Sequence, residues 1–289
     1  MRKNISSLKN VKPYMMLIEC MLILTLALAM VNFSFVAVYA DGTSWAEIQK
    51  DGFTPYRDVL SEKEQQVYDQ VCENIESYNT KQFQLAQRLS EEELDRVMNA
   101  VYNDMPEFFF INTSYRYLTT KSGICTALSI NYAIPKSEFQ DATAKYNQVI
   151  DSIVSEANKL ETTLQKERYI YSAIADLNTY DMNSAHNQSA YAALVHGRSV
   201  CAGYARAFQV ICNRVGIPCY YVTGQSRDQL HAWNIVDIDG NLYSVDLTWD
   251  DGTGERTGTT SYKYFNQQGG DFDEDHELGI LSQDMLDNL

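Results

Sequence analysis

The spacing of apolar residues predicts a series of helices and strands in the first part of the chain. Apolar positions recur at helical intervals through residues 61–78, and the run 83–89 alternates apolar and polar side chains as a strand does. Ser90 and Glu93 have the spacing of a capping box, which predicts a helix that begins there and ends near Pro106. This part of the chain is therefore expected to mix helix and strand.

Two further strands and a long helix are predicted downstream of this segment. Residues 108–118 and 124–134 are rich in β-branched and aromatic side chains and are expected to pair as a hairpin or meander. A helical pattern with many charged and polar positions then extends from Ser137 to about Leu164. We expect this helix to connect the N-terminal part to the part that carries the chemistry.

A later helical pattern places a cysteine at a helix start. Apolar residues recur at helical spacing across 205–215, and Gly216 and Pro218 end the pattern. Ser199 is a favourable N-cap residue, so Cys201 is expected in the first turn. The N–H groups and the positive end of the helix dipole favour a thiolate there, which is the attacking form of the side chain. The alternative is a small cysteine packed in the core.

A β-hairpin is predicted after this helix. Two runs rich in β-branched and aromatic residues flank Asp239 and Gly240, a pair that suits the type I′ turn of a two-residue loop. In such a hairpin Ile238 faces Asn241. The turn therefore fixes the register of both strands.

That register brings a histidine and an aspartate to one face of the hairpin. His231 is expected to lie opposite Thr248, and Asp246 then falls on the same face at the diagonal spacing that side chains can bridge. A slip of one residue would send Asp246 to the opposite face. Taken singly, the two residues could equally be an ordinary sheet histidine and a polar strand residue. Together with Cys201 they have the residue types of a nucleophile, a base and an orienting acid.

Four separate motifs follow one another around these residues: G-x-x-V-C-x-G-Y-A-x-A-F from Gly197, G-I-P from Gly216, H-A-W-N from His231 and V-D-x-T-W-D-D from Val245. In these motifs, their order and their spacing, the chain resembles the bacterial branch of the transglutaminase-like superfamily. The resemblance covers roughly residues 167–276, with a weaker likeness in the D-M-P-E-F-F segment at Asp104.

The resemblance implies an α+β fold with a papain-like core, in which the cysteine helix packs on an antiparallel sheet. It implies Cys201 as the nucleophile, His231 as general base and then acid, and Asp246 as the group that orients the imidazole. Attack on a glutamine or peptide amide would give a thioester. An amine would resolve it by transamidation and water by deamidation or hydrolysis, and the sequence leaves both routes open.

The oxyanion of this reaction needs hydrogen-bond donors close to the cysteine. The backbone N–H of Cys201 is the first candidate, and a second donor is sought among Gln188, Asn187 and Tyr191, which precede the helix. Ordinary surface or cap polarity is the alternative for all three. Trp233 shares a strand face with His231 and is expected either to wall the cleft or to lie in the core.

Residues 1–40 have the pattern of an export signal. Basic residues without an acid precede an apolar stretch from Met15 to Val38, and Val38-Tyr39-Ala40 ends it with small residues at the positions that signal peptidase reads. The stretch is long enough to span a bilayer, so an uncleaved anchor is the alternative, but Glu19 shortens it and favours cleavage after Ala40. We expect a secreted or cell-surface protein.

The charge of the chain argues against nucleic acid as a partner. The chain carries 23 basic and 38 acidic residues, and residues 1–40 hold four of the basic and one of the acidic ones, so the remainder has a net charge of −18. Nucleic-acid binding depends on basic side chains. The expected partner is a protein or peptide substrate at the cell surface. No cofactor and no metal site are predicted.

Two smaller sets of residues complete the sequence analysis. Five cysteines follow residue 40, and an odd number outside the cell leaves at least one thiol free. His276 lies in an acidic tail and is expected to be structural or exposed.

We divide the chain into residues 1–40 as signal or anchor, 41–136 as an accessory α+β module, 137–166 as a helical connector and 167–289 as the catalytic domain. Three functions are compatible with the sequence. The first is an exported cysteine acyltransferase of transglutaminase type that acts on glutamine side chains. The second is a cysteine protease or amidase with the same triad, and the third is a non-catalytic binding module that retains the fold.

Overall fold

The structure, a computed structural model, describes residues 53–251 and 261–289. Helices and strands are mixed along the chain through residue 132, as the apolar pattern predicts. The elements of this part are α1 Pro55–Asp58, α2 Glu62–Glu76, β1 Phe83–Ser90, α3 Glu91–Asp104, β2 Ile111–Thr119 and β3 Ile124–Tyr132. The three strands form an antiparallel sheet in the order β1-β3-β2.

The predicted capping box begins α3. The N–H of Glu93 donates to the Ser90 hydroxyl at 3.1 Å, and the N–H of Ser90 donates to the Glu93 carboxylate at 2.8 Å. The prediction of paired strands is also confirmed, but β2 begins at Ile111 instead of residue 108. The preceding residues are buried because the aromatic rings of Phe108, Phe109 and Phe110 pack into the core.

The helix predicted from Ser137 to about Leu164 is present but ends earlier, as α4 Phe139–Ala157, and a second helix, α5 Thr163–Leu177, follows it. The second helix has its own cap. The N–H of Gln165 donates to the Thr162 hydroxyl at 3.2 Å, and the Gln165 side chain accepts from the N–H of Thr162. A capping box at the end of the predicted range therefore starts a new helix after a short break.

The remaining elements build the second sheet and its covering helices. They are β4 Thr179–Tyr180, a π-helical turn Ala192–His196, β5 Arg198–Ser199, α6 Cys201–Arg214, β6 Cys219–Ser226, β7 Gln229–Ile238, β8 Asn241–Val245, α7 Leu247–Asp251, α8 Asp271–Asp275, β9 His276–Leu278 and α9 Ile280–Asp287. Strands β8-β7-β6-β9 form an antiparallel sheet in that order, and β4 pairs with β5 in parallel.

The register of the β7–β8 hairpin agrees with the prediction. Ile238 pairs with Asn241, and both Asp239 and Gly240 have positive φ, as a type I′ turn requires. The expected pairing of His231 with Thr248 is wrong, because β8 ends at Val245 and the chain turns into α7.

Helix α6 packs on strands β6 and β7, so the predicted arrangement of a cysteine helix on an antiparallel sheet is present. The α+β fold is therefore confirmed. One cluster of buried apolar side chains extends from Tyr56 to Met285, and the described residues all belong to one compact unit. The division into an accessory module, a connector and a catalytic domain stays a prediction.

The predicted export signal, residues 1–40, lies outside the described residues. Within residues 53–251 and 261–289, no helix combines the length and the apolar character that crossing a bilayer requires.

Candidate active site

Cys201 is the first residue of α6 and is partly exposed. The cap residue is Val200, in extended conformation, so the prediction of Ser199 as N-cap is wrong. Ser199 is instead buried in β5, where its hydroxyl accepts from the Asn178 side chain at 2.6 Å. The N–H of the first helical residue has no acceptor within the helix, so the backbone of Cys201 presents a donor next to its own sulfur.

Gly203 lets the start of α6 lie close to the preceding segment. A β-carbon at this position would lie 2.5 Å from Cβ of Ser199 and 2.8 Å from the Asn187 carbonyl oxygen. Real side chains do not approach so closely, so only glycine fits here without moving the backbone. The glycine thereby fixes the position of Cys201 against the 187–199 segment.

His231 lies on β7 with its ring between the thiol and a carboxylate. Its Nε2 is 2.7 Å from Oδ2 of Asp246, and the ring lies beside Cys201 in the same cleft, where the thiol affects the pKa of the ring. Because Nε2 contacts the carboxylate, Nδ1 is the nitrogen left for the thiol. Burial lowers the pKa of His231, but the hydrogen bonds and charges of Asp246 and Cys201 outweigh it and raise the pKa to about 9.

Asp246 is completely buried between β8 and α7. Its Oδ1 accepts the N–H of Trp249 at 3.2 Å, and Oδ2 contacts two imidazole rings, those of His231 at 2.7 Å and His276 at 3.1 Å. Burial raises the pKa of Asp246, and the hydrogen bonds and charges of the two histidines more than offset this, so its pKa lies below the usual value. The carboxylate is therefore held ionised in the interior.

The structure brings together all three predicted site residues, Cys201, His231 and Asp246. The β8 strand ends before Asp246, so the diagonal strand pairing does not place the carboxylate. Its position follows from the start of α7, where Asp246 accepts a backbone N–H three residues ahead as an N-cap side chain does.

Sequence analysis missed the part that His276 plays in this cluster. The residue begins β9, is buried, and contacts Asp246 with Nε2 at 3.1 Å. An isolated histidine in an acidic tail, thirty residues from its partner, gives no periodic signal. The only sequence indication is that the family resemblance extends as far as this residue.

Metal-ligating side chains come together at this same cluster. The ligand atoms of His231, Asp246 and His276 lie within 4.8 Å of one another, and this is the one such group among residues 53–251 and 261–289. The same nitrogens and oxygen already hydrogen bond with one another, so an ion bound there would have to replace both hydrogen bonds.

Cys201 and His231 open onto a cleft of about 920 Å³. One wall comes from the N-terminal part, where α3 contributes Asp95 and Asn99 and β2 contributes Tyr115. The cleft is therefore built jointly by the N-terminal elements and the second sheet.

The rim of the cleft carries exposed apolar side chains. Leu230 is 87% exposed and Ile280 is 81% exposed, and both line the cleft that holds Cys201. Glu277, which is exposed, and Asp95 add acidic groups to the lining. The opening thus offers apolar contacts and negative charge together.

The three candidate oxyanion donors differ in the structure. Gln188 lines the cleft with Cys201. Asn187 donates its side-chain N–H to the Met182 carbonyl at 2.9 Å, and Tyr191 is buried with its ring stacked on Phe109. Gln188 is the candidate whose position fits the role.

Trp233 belongs to the core behind the site. It is 2% exposed, and its ring lies 6.0 Å from that of His231 and 5.0 Å from that of His276. Of the two roles expected for it, the structure shows the core position.

The geometry agrees with what comparison with known proteins shows. Residues 148–247, which include the cysteine helix, the hairpin and the aspartate, match the family model described as transglutaminase-like superfamily. This segment is a transglutaminase-like core. The transglutaminase-like core thus contains Cys201, His231 and Asp246, whereas His276 lies beyond the matched residues.

The mouse and human proteins named kyphoscoliosis peptidase are 28% and 27% identical to this chain over 128 residues. That alignment covers 38% of this chain and 19% of each relative, so the chain spans about a fifth of the length of the curated relatives it matches.

Two solved structures are similar at low identity. A crystal structure of a TGase is 16% identical, with a TM-score of 0.36 over 67% of this chain and 56% of the other. A candidate cysteine protease from Cytophaga hutchinsonii is 18% identical, with a TM-score of 0.33 over 47% of this chain and 61% of the other.

Proposed function

We propose that the protein is an exported cysteine acyltransferase of transglutaminase type that acts on glutamine side chains of proteins. One observation carries the proposal: His231 hydrogen bonds to the buried Asp246 carboxylate at 2.7 Å and lines an open cleft together with Cys201, whose thiol affects the pKa of the ring. This is the order of contacts that an activated thiol nucleophile requires.

In the proposed acylation, the Cys201 thiolate attacks the carbonyl carbon of the glutamine amide and forms a carbon–sulfur bond. His231, which carries the thiol proton as an imidazolium, gives that proton to the amide nitrogen. The carbon–nitrogen bond then breaks, and ammonia leaves a thioester. Asp246 fixes the ring and favours its cationic form throughout.

The thioester is resolved by an amine. A lysine amine attacks the carbonyl carbon and passes a proton to His231, and the carbon–sulfur bond breaks to release the Cys201 thiolate. An isopeptide cross-link results, and water in place of the amine gives glutamate.

The negative charge of the tetrahedral intermediate needs donors close to the sulfur. The backbone N–H of Cys201 is the first proposed donor, because it lies at the start of α6 with no intrahelical acceptor. The side chain of Gln188, which lines the same cleft, is proposed as the second.

The proposed substrate is a polypeptide that lies across the rim of the cleft. Leu230 and Ile280 offer apolar surface to side chains that flank the reacting glutamine, and Asp95 and Glu277 favour a substrate with basic residues nearby. We expect no nucleic-acid partner, because the chain is strongly acidic.

Export is part of the proposal. Its support is the basic start, the apolar stretch and the small residues before Ala40. N-terminal sequencing of the protein recovered from culture medium is expected to begin at Asp41, whereas a membrane-bound protein that retains residues 1–40 would favour the anchor.

A second candidate function is a cysteine peptidase or amidase with the same three residues. The similarity to the mouse and human proteins named kyphoscoliosis peptidase favours it. The third candidate is a non-catalytic binding module. Such a module would not require His231 and Asp246 beside Cys201, so this arrangement favours the two catalytic functions.

Incubation of the protein with a fluorescent primary amine and a glutamine-rich acceptor protein distinguishes these functions. We expect the acceptor to become labelled, and the label to disappear in Cys201→Ala. Cys125→Ala, which removes a buried thiol from β3, is the matched control and is expected to label normally. Release of peptides without amine incorporation would support the peptidase, and no reaction in either assay would support the binding module.

A further inference from the structure

Asp246 has one more histidine partner than a three-residue site requires. Its Oδ2 contacts Nε2 of His231 at 2.7 Å and Nε2 of His276 at 3.1 Å. The rings of the two histidines lie 5.7 Å apart. The His276 side chain is 1% exposed and does not line the cleft that holds Cys201, so its link to the reaction is through Asp246.

The second nitrogen of His276 also faces an acceptor. Its Nδ1 lies 3.1 Å from the carbonyl oxygen of Phe272, and a carbonyl oxygen can only accept. Nδ1 is therefore the donor in the hydrogen bond to that carbonyl. Because Nε2 is turned to a carboxylate, both ring nitrogens face groups that accept hydrogen bonds.

The ring of His276 is held firmly from several directions. Its side chain is 1% exposed, and it stacks on the Phe272 ring with centroids 4.0 Å apart and an interplanar angle of 12°. The titratable and aromatic groups packed around it are Asp246, His231, Trp233 of β7, Trp249 of α7, Tyr264 and Asp275 with its ion-pair partner Arg227.

The backbone that carries His276 is fixed as well. Strand β9 pairs with β6, and its close approach depends on Gly224, where a β-carbon would lie 2.0 Å from the Glu277 carbonyl oxygen and 2.9 Å from the Trp233 ring. The position of His276 is thus built into the sheet.

These contacts orient the carboxylate. The N–H of Trp249 holds Oδ1 at 3.2 Å, and Nε2 of His276 lies 3.1 Å from Oδ2. With both oxygens fixed by donors that do not take part in the reaction, Oδ2 is directed at His231. The charge-assisted hydrogen bond also favours the ionised form of Asp246.

We infer that His276 is a positioning residue of the active site, a fourth member that orients Asp246 and through it the His231 ring. The inference rests on the proposed function of Cys201, His231 and Asp246. It adds a residue outside the segment that matches the family model.

The test compares His276→Phe with His276→Gln in the full-length protein. Phenylalanine keeps the stacking on Phe272 and removes the donor, whereas glutamine keeps a side-chain N–H that can reach Asp246. We expect kcat for amine incorporation to fall about 10- to 100-fold in His276→Phe with little change in KM, the effect of one hydrogen bond to a charged group. His276→Gln is expected to recover most of that loss.

The pH profile separates positioning from a purely structural role. In His276→Phe, Asp246 loses a group that favours its ionised form, so the acid limb of kcat/KM is expected to move to higher pH. His196→Phe, at an exposed histidine outside this cluster, is the control and is expected to keep the wild-type profile. Equal losses in His276→Phe and His276→Gln with an unmoved acid limb would overturn the inference.

A readout without turnover keeps this test independent of the proposed function. If the wild-type protein transfers no acyl group and hydrolyses none, the proposed function fails, but nitrogen-15 NMR of the histidine rings still reports the titration of His231. We expect His276→Phe to change that titration. An unchanged His231 titration in folded His276→Phe would show that His276 does not act through Asp246.

Discussion

Oδ2 of the fully buried Asp246 lies 2.7 Å from Nε2 of His231, which leaves Nδ1 of the ring for Cys201. A neutral imidazole has one donor and one acceptor nitrogen, and the carboxylate assigns the proton to Nε2. Nδ1 is then the nitrogen that exchanges a proton with sulfur.

Asp246→Asn is expected to lower kcat about 10³- to 10⁴-fold, because an amide can present its N–H to Nε2 and reverse the tautomer. The measurement is steady-state amine incorporation. The control is Asp239→Asn, which makes the same change of charge at the exposed turn, where Asn-Gly also suits the type I′ conformation. Activity of Asp246→Asn within tenfold of wild type would show that the carboxylate does not orient the ring.

The pKa of about 9 for His231 predicts the alkaline limit of activity. Below that pH the ring is protonated and can give a proton to the leaving amine, and above it the ring is neutral and this proton is lost. We therefore expect kcat/KM to hold its value from neutral pH and to fall above about pH 9.

A profile that already falls between pH 6 and 7 would contradict this assignment. Titration of the histidine ring by NMR, in wild-type protein without substrate, is expected to give the same midpoint. It thereby separates the His231 ring from any titrating group of the acyl acceptor.

The exposed rim of the cleft predicts an effect on substrate binding. Leu230→Asp or Ile280→Asp is expected to raise KM for a protein acyl donor by about tenfold and to leave kcat nearly unchanged, since apolar contact contributes to binding in proportion to the area buried. Leu164→Asp, at an exposed leucine in the first turn of α5, is the matched control. If KM for a small glutamine dipeptide rose as much as KM for the protein, the rim would not be a polypeptide contact.

The local elements around the site could be predicted because local rules determine them. The Asp239-Gly240 turn sets the β7–β8 register, and the Ser90–Glu93 capping box starts α3. The cysteine helix could be predicted from its apolar pattern, but its cap residue could not. The cap is Val200, because Ser199 lies in β5 and bonds to Asn178.

Contacts between distant segments could not be predicted in this way. Asp246 meets His276 across thirty residues, and no spacing rule connects an irregular acidic tail to a strand end. Likewise, α3 and β2 line the cleft because one core joins them to the second sheet, a packing relationship that periodicity within either element does not contain.

The close contacts of Gly224 predict that activity depends on the pairing of β6 with β9 at the edge of the second sheet. In Gly224→Ala the new β-carbon would collide with the Glu277 carbonyl and Trp233, so β9 and His276 must shift. We expect a loss of about 1–3 kcal/mol in the free energy of unfolding and a fall in kcat similar to that of His276→Phe.

The control is Gln225→Ala, at the exposed neighbouring position, which is expected to leave the free energy of unfolding within about 0.5 kcal/mol of wild type. Wild-type stability and kcat in Gly224→Ala would show that the edge can relax without moving the histidine.

The buried hydrogen bonds of Tyr56 connect the N-terminal helices to the second sheet, and we expect these two parts to unfold together. Its buried hydroxyl donates to the Tyr221 carbonyl of β6 at 2.6 Å and lies 3.0 Å from the Ser282 hydroxyl of α9. Tyr56→Phe leaves these partners without that hydroxyl in the interior, so we expect the free energy of unfolding in urea to fall by about 1–3 kcal/mol in a single transition.

The control is Tyr262→Phe. The Tyr262 side chain is partly exposed and its hydroxyl bonds to Ser172 at 2.7 Å, so its loss should change the free energy of unfolding by less than about 0.5 kcal/mol. Two separate transitions, of which Tyr56→Phe moves only one, would mean that the wall of the cleft formed by α3 and β2 can open while the transglutaminase-like core stays folded.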